Sequence, residues 1–422
     1  MFNSNYILLL VPLVFLFCSF KKRNNKMYWS MTLFYSIGGL FAFLLTQQDF
    51  FYESVNSGHQ NVSFSATIYY ICCMSLLFEP IRRERSGYVY CGKVSSNNLK
   101  NFCLLFIIIS VMYTVAIIPY VNGAFNAIDA VAYHDEMLEQ GGVDVAHGNP
   151  ILVKVFAFQE MLRPVFTFLT CYILCDNRFN SKFKITLCAC CVIPTILDSM
   201  ASSSRNAMVF FFLDFLLCFM LFHHRYTEKI KRIVLLMCSV LGAIMVAIVI
   251  VFAIARFSDS IEGDIASYSL YRYAGEPLVN FNTMLWDNGH LLYGNKSFTT
   301  IRSILGLNIV DPSMQRQYYS GLPYVIYCFY SIVGNFYMDF GFWGGVILCG
   351  LIGLMFYLFI THIIRKNTIT RLLVIFLYVS FTIKNYFYFS FMGSNNILFV
   401  WYCIFVLIIY KTIDRGSYKQ QK

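Results

Sequence analysis

The sequence predicts an all-helical polytopic integral membrane protein, and three observations predict it. Of the 422 residues, 58% are hydrophobic and only 13% charged, whereas an ordinary soluble domain carries about 25% charged residues. The apolar residues gather into runs near the roughly 20 residues that a helix needs to cross a bilayer. Basic residues gather at every second connection between those runs. A membrane barrel is excluded, because its strands alternate polar and apolar side chains over about ten residues and these runs do not. The expected fold is a bundle of about eleven transmembrane helices, with twelve as the alternative, each satisfying its own backbone hydrogen bonds.

In order, the runs are Tyr6 to Phe20, Tyr28 to Thr46, Ser63 to Phe78, Asn101 to Val121, Val155 to Cys175, Ile185 to Ile196, Ala207 to Phe222, Ile233 to Ala255, Phe342 to Ile360, Leu372 to Ser390 and Ile397 to Tyr410. No charge precedes the first, while Lys21, Lys22, Arg23 and Lys26 follow it. That order retains the segment with its N-terminus outside and argues against a signal peptide. Basic clusters recur at Arg82 to Lys100, Arg178 to Lys184, Arg225 to Arg232, Arg365 to Arg371 and Lys411 to Lys422, all on one side. The net charge of +10 is thus largely a positive-inside signal. No basic domain argues for nucleic acid. The register requires that Tyr324 to Phe336, an apolar run of 13 residues, does not cross; it reads as a re-entrant or interfacial helix. A twelfth full span is the alternative and would put the N-terminus inside.

Two long connections face outside in this register. Gly123 to Pro150 is acidic, with Asp129, Asp135, Glu136, Glu139 and Asp144 beside His134 and His147 and no Lys or Arg. Ala127 to Gln140 within it suits a short surface helix ended by Gly141 and Gly142. Its spacings reproduce no metal-ligand motif, so a solvated acidic face is the better reading. Arg256 to Pro323 is a large polar loop holding Arg256, Arg272, Lys296, Arg302 and Arg316, balanced by six carboxylates. Cations kept outside run against the usual bias and suggest a site for an anionic ligand, guanidinium being suited to phosphate. The plain alternative is that long loops translocate whatever their charge. The 15 cysteines lie mainly in the spans, with no disulfide framework and no metal set. The whole chain, 1–422, reads as one membrane domain without repeats.

Ionisable residues inside spans mark function or pairing. Glu160 and Arg163 share a helix face next to Pro164, which leaves the Glu160 carbonyl without its usual donor. Asp214 and Lys384 lie at similar depth and are candidates to neutralise one another. Asp198 to Asn206 reads as an outer turn in which Ser202, Ser203 and Ser204 cap the next helix, so that free N–H groups and Arg205 make an anion site. A snorkelling arginine at a helix end is the alternative. Tyr271, Arg272, Tyr273, Gly275 and Glu276 place aromatic rings around a cation beside a flexible glycine, a composition suited to a glycan; an interfacial aromatic belt is the simpler account.

These residues also carry a family resemblance. The Ser-Ser-Arg-Asn-Ala turn opening a span, the Arg-Tyr-Ala-Gly stretch in a large outer loop, and Asn335 to Gly341 followed by Gly344, Gly345, Gly350 and Gly353 together resemble the Wzy-type O-antigen and capsule repeat-unit polymerases, over about Leu162 to Ile360. The resemblance implies a glycosyltransferase on the outer face of the inner membrane. It would move a growing glycan from undecaprenyl pyrophosphate onto an incoming lipid-linked repeat unit, with a chain-length regulator and a flippase as partners and no cofactor or metal. On that reading Arg205 and Arg272 stabilise the pyrophosphate, supported by Arg163 and Arg302. Glu276 or Asp339 accepts the proton of the attacking hydroxyl, Tyr271 and Tyr273 line the sugar, and Gly341 and Gly345 permit close helix packing beside the site. The histidine of the related ligases has no clear equivalent near Asp339.

Two rivals come from other classes. A lipid-linked sugar flippase would show two pseudo-equivalent halves, which the hydropathy pattern lacks. A glycan acyltransferase usually needs a catalytic histidine in or near the bilayer, and no histidine lies within a predicted span apart from His362, at a cytoplasmic end.

Overall fold

The structure, a computed structural model, describes residues 4–47, 62–84, 94–126, 150–201, 206–257, 265–287, 290–310, 320–322, 324, 328–364, 368–389 and 396–414. Every regular element among them is helical. In chain order these are α1 (Leu10–Lys21, entered through a 3-10 stretch Ser4–Leu9), α2 (Lys26–Leu45), α3 (Phe64–Arg83), α4 (Ser96–Asn126), α5 (Pro150–Leu174), α6 (Ser181–Ala201), α7 (Asn206–Phe222) and α8 (Glu228–Phe257). They continue with α9 (Ile265–Asn280), α10 (Thr299–Ile304), α11 (Ser331–Leu358), α12 (Ile369–Lys384) and α13 (Asn396–Ile409). Each apolar run of the sequence falls on a helix, and seven of the helical stretches, among the described residues, are long and apolar enough to cross a membrane. The architecture is that of a helical membrane protein.

Hydropathy alone reads one membrane domain; the contacts group the chain into two compact units. The first comprises Met1–Val89, Ala266–Lys366 and Tyr378–Ile404. In it α1 packs on α2 and α3 on α11. The rings of Phe15, Tyr35 and Phe78 meet with centroids 5.1 to 6.1 Å apart. Buried tyrosines satisfy their hydroxyls on backbone carbonyls: Tyr35 donates to Thr382 at 2.7 Å and Tyr378 to Leu77 at 2.7 Å. An aromatic side chain thereby gives a large apolar surface and still has its polar tip paired. The second unit comprises Tyr90–Ile265, Asn367–Leu377 and Phe405–Lys422. There α4 packs on α6 and α5 on α7, with Phe106 and Phe166 stacked at 4.2 Å.

Two expectations about loops change. The large polar loop over 256–323 contains a full helix, α9, and the short α10. The helix expected over Tyr324–Phe336 begins instead at Ser331 and continues as α11. Its start is fixed from a distance: the Ser331 N–H donates to the carbonyl of Phe387 at 3.0 Å and the Ile332 N–H to that of Asn385 at 2.9 Å. Ser331 itself takes a φ of +61°, a strained value for a serine worth on the order of 1 kcal/mol.

Within α11 the helix is interrupted at Gly341, with φ +69° and ψ −164°. Only glycine occupies that region readily, so Gly341 is a helix breaker and not a packing residue. Gly345 does serve packing: a Cβ there would lie 2.2 Å from the Tyr69 hydroxyl, which donates to the Phe342 carbonyl at 2.9 Å.

Candidate functional site

Helix α9 supplies the candidate site of the first unit. Its sequence reads as loop because Gly275 and Pro277 are turn residues and its tyrosines flank a charge. Packing explains why it is helical. A Cβ on Gly275 would lie 2.6 Å from the Phe41 carbonyl oxygen and 2.7 Å from the Ala42 Cα, so the backbones of α9 and α2 come together where no side chain fits. The glycine expected to be flexible is a close-approach residue. The Tyr386 hydroxyl adds a hydrogen bond to the Ala274 carbonyl.

Helical spacing then builds a ladder. Arg272 and Glu276 are four apart, with Nε and Oε2 3.5 Å apart. The Asn280 amide, four further on, donates to Glu276 Oε1 at 3.1 Å and to the Phe329 carbonyl at 3.2 Å. Burial deepens along the ladder: the Arg272 side chain is 32% exposed and that of Glu276 9%, and Asn280 is sealed. Tyr271 and Tyr273, half-buried, neighbour Arg272 in sequence, and Tyr271 meets Phe41 with ring centroids 6.0 Å apart. The arrangement presents a cation at a rim, with a carboxylate held in place behind it.

Two further groups complete the electrostatics. Burial, with help from Glu276, pushes the Cys328 thiol up to about 12, while Arg272 and Lys296 pull it back. Burial pushes the half-buried Lys296 ammonium below the ordinary lysine range, and the Asp339 carboxylate and Cys328 oppose that shift. Cys328 is therefore within the electrostatic reach of Arg272, Glu276 and Lys296. Lys296 counts in the sequence only as one of the outer cations; its place near Asp339 and Cys328 comes from chain segments far apart. Asn280 carries no charge and gave no signal. Asn335, one turn into α11, is buried with its Nδ2 lacking a hydrogen-bond partner, and Asn280 Oδ1 is likewise unpartnered among the described residues.

The other candidates are placed as follows. Asp339 is fully buried, and both its oxygens accept backbone N–H groups, from Lys296 at 3.0 Å and from Ser297 at 2.7 Å. It anchors the chain that carries Lys296. Arg302 gives Nη1 to the Tyr293 carbonyl at 2.6 Å and Nη2 to the Asn308 carbonyl at 2.7 Å, which closes Leu291 to Ile309 into a compact lobe. Arg163 belongs to the second unit, where it pairs with Asp198 at 2.6 Å in a nearly buried ion pair. Asp198 is helical, since α6 runs on to Ala201, so the expected outer turn from Asp198 is shorter than the sequence indicated. The side chain of Glu160, expected to share a face with Arg163, lies outside the described residues. So do Ser202 to Arg205, and with them the convergence of Arg205 on Arg272. Asp214 belongs to the second unit and Lys384 to the first. Among the described residues no three His, Cys, Asp or Glu side chains gather to hold a metal; the acidic stretch with His134 and Asp135 lies outside them. Comparison with family models, curated proteins and solved structures gives no match.

Proposed function

We propose that this protein is a membrane glycosyltransferase of the Wzy-type class, joining undecaprenyl-pyrophosphate-linked oligosaccharide repeat units into O-antigen, capsule or exopolysaccharide on the outer face of the inner membrane. The observation that carries the reading is the Arg272, Glu276, Asn280 ladder, a rim cation backed by an oriented carboxylate. In this chemistry an acceptor hydroxyl attacks the anomeric carbon of the growing glycan. The bond from that carbon to the pyrophosphate oxygen breaks, Glu276 takes the hydroxyl proton, and the lipid pyrophosphate leaves. Arg272, assisted by Lys296, stabilises the developing negative charge. Tyr271 and Tyr273 offer ring faces to the sugar. Of the two candidate bases Glu276 is the better placed, because Asp339 already accepts two backbone hydrogen bonds away from solvent.

The test is complementation of a strain lacking the protein, with glycan ladders compared at equal membrane abundance. Glu276→Gln should abolish the ladder and leave single lipid-linked repeats to accumulate. A full ladder from that variant would remove Glu276 from the chemistry. A second reading, movement of lipid-linked sugar across the bilayer, is favoured by the interruption of α11 at Gly341, since discontinuous helices carry the substrate sites of many transporters. Purified protein in vesicles separates the two, because a polymerase lengthens the supplied repeat units and a carrier relocates them unchanged.

A further inference from the structure

We infer that the lobe Leu291 to Ile309 is a membrane wedge whose apolar tip sits among the lipids of the leaflet beside it. At the tip Ile301, Ile304, Leu305, Leu307 and Ile309 are 41%, 71%, 67%, 49% and 40% exposed. From Ser303 to Ile309 there is no charged residue. So dense an apolar patch seldom faces water without a function. The lobe holds its shape from within: Arg302 binds the Tyr293 and Asn308 carbonyls, the Leu307 N–H returns to the Arg302 carbonyl at 2.9 Å, and Gly306 turns the chain at φ +68°. Arg302 is held inside, while Ile301, Ile304, Leu305, Leu307 and Ile309 face out.

Continuity names lipid as the occupant. The base of the lobe is hydrogen-bonded to α11, the Leu292 N–H to the Met338 carbonyl at 3.0 Å and the Tyr293 N–H to the Asp339 carbonyl at 2.9 Å. Just beyond that anchor α11 shows an exposed stripe, Trp343, Ile347, Leu351 and Met355, at 73%, 56%, 47% and 60%. Residues four apart form one face, and on a helix long and apolar enough to span such a face meets lipid. Tryptophan at the head of the stripe suits the membrane–water interface. The tip is thus fixed at the level where an apolar, uncharged surface fits the headgroup and acyl boundary. The inference stands apart from the reaction the protein performs.

The experiment places a photo-crosslinking amino acid at 304, 305 or 307 of the full-length protein in its own membrane, with exposed Ser320 as the reference position, and identifies adducts by mass spectrometry. Lipid adducts several-fold above the Ser320 position are expected at all three. Adducts to a second copy or to another protein, or lipid yields equal to those at Ser320, would overturn the wedge. Leu305→Glu should also lower the lipid adducts from position 304 several-fold at unchanged abundance, and an undiminished yield would count against the inference.

Discussion

Helix α9 and the lobe that follows it come from the same polar stretch and each holds one arginine, yet the two guanidiniums are engaged differently. Arg302 has two nitrogens on backbone carbonyls at 2.6 and 2.7 Å. With a third of its side chain exposed, Arg272 meets the Glu276 carboxylate at 3.5 Å, longer than the about 2.7–2.9 Å of a tight charge-assisted bond. A pyrophosphate could take Arg302 only by releasing two carbonyls and opening the lobe. Arginine content alone therefore does not locate an anion site; what matters is which partners already hold the nitrogens.

The enclosed extreme of this comparison is Arg163, and it should give the largest effect. Asp198→Ala would leave a buried guanidinium facing a lost carboxylate, at a cost of about 3–5 kcal/mol. Membrane abundance and thermal stability should fall sharply, and a variant as stable as the wild type would break the ranking. For Arg272→Ala we expect normal abundance with about 1.5–3 kcal/mol of stabilisation lost, or a rate roughly 10- to 150-fold lower. Glycan ladders should shorten or vanish, and Arg272→Lys should rescue poorly because an ammonium lacks the two-pronged geometry. Ladders of full length from both variants would return Arg272 to a structural role. Arg302→Ala should act in the opposite sense, raising hydrogen exchange across residues 303 to 309 while altering ladder length less than Arg272→Ala does. A greater loss of ladder than in the Arg272 variant would contradict the contrast.

Much of the fold was legible because lipid imposes one requirement, a long apolar helix, that hydropathy reports directly; Asn101 to Val121 and Phe342 to Ile360 need nothing else to be found. What was not legible depends on residues far away in the chain. Gly275 looks like a turn until the α2 backbone is against it. The start of α11 depends on the carbonyls of Asn385 and Phe387, and Arg163 pairs with Asp198 on another helix, 35 residues further along the chain. In the candidate site, Arg272 and Glu276 stand out by residue type, but their four-residue pairing on one helix was not readable, because the stretch reads as loop until α2 packs against it. Nor was Lys296 beside Asp339, since that proximity depends on the lobe closing.

The smallest effect concerns Lys296. Its folded value lies below that of the unfolded chain, about 10.4, because burial disfavours the ammonium. Between the two values the unfolded chain binds more protons, so stability rises with pH across that window as the buried charge is relieved. Anion binding should run the other way, weakening as pH rises through a midpoint below the ordinary lysine range. Titration of pyrophosphate binding against pH, in wild type and in Lys296→Met, checks this: the variant should show a flatter profile. Identical profiles would leave guanidinium, which does not titrate there, as the only cation involved.

The junction at the start of α11 has a mechanical consequence. Two helix termini meet there, and each fills the vacant hydrogen-bonding positions of the other, with the Ser331 and Ile332 N–H groups on the carbonyls of Phe387 and Asn385. Sliding either end along its axis would strip polar backbone of its partners in apolar surroundings, at several kcal/mol for each group. The joint behaves as a latch, so bending within this part of the molecule falls to Gly341, ten residues further along, where the helical ladder is already open.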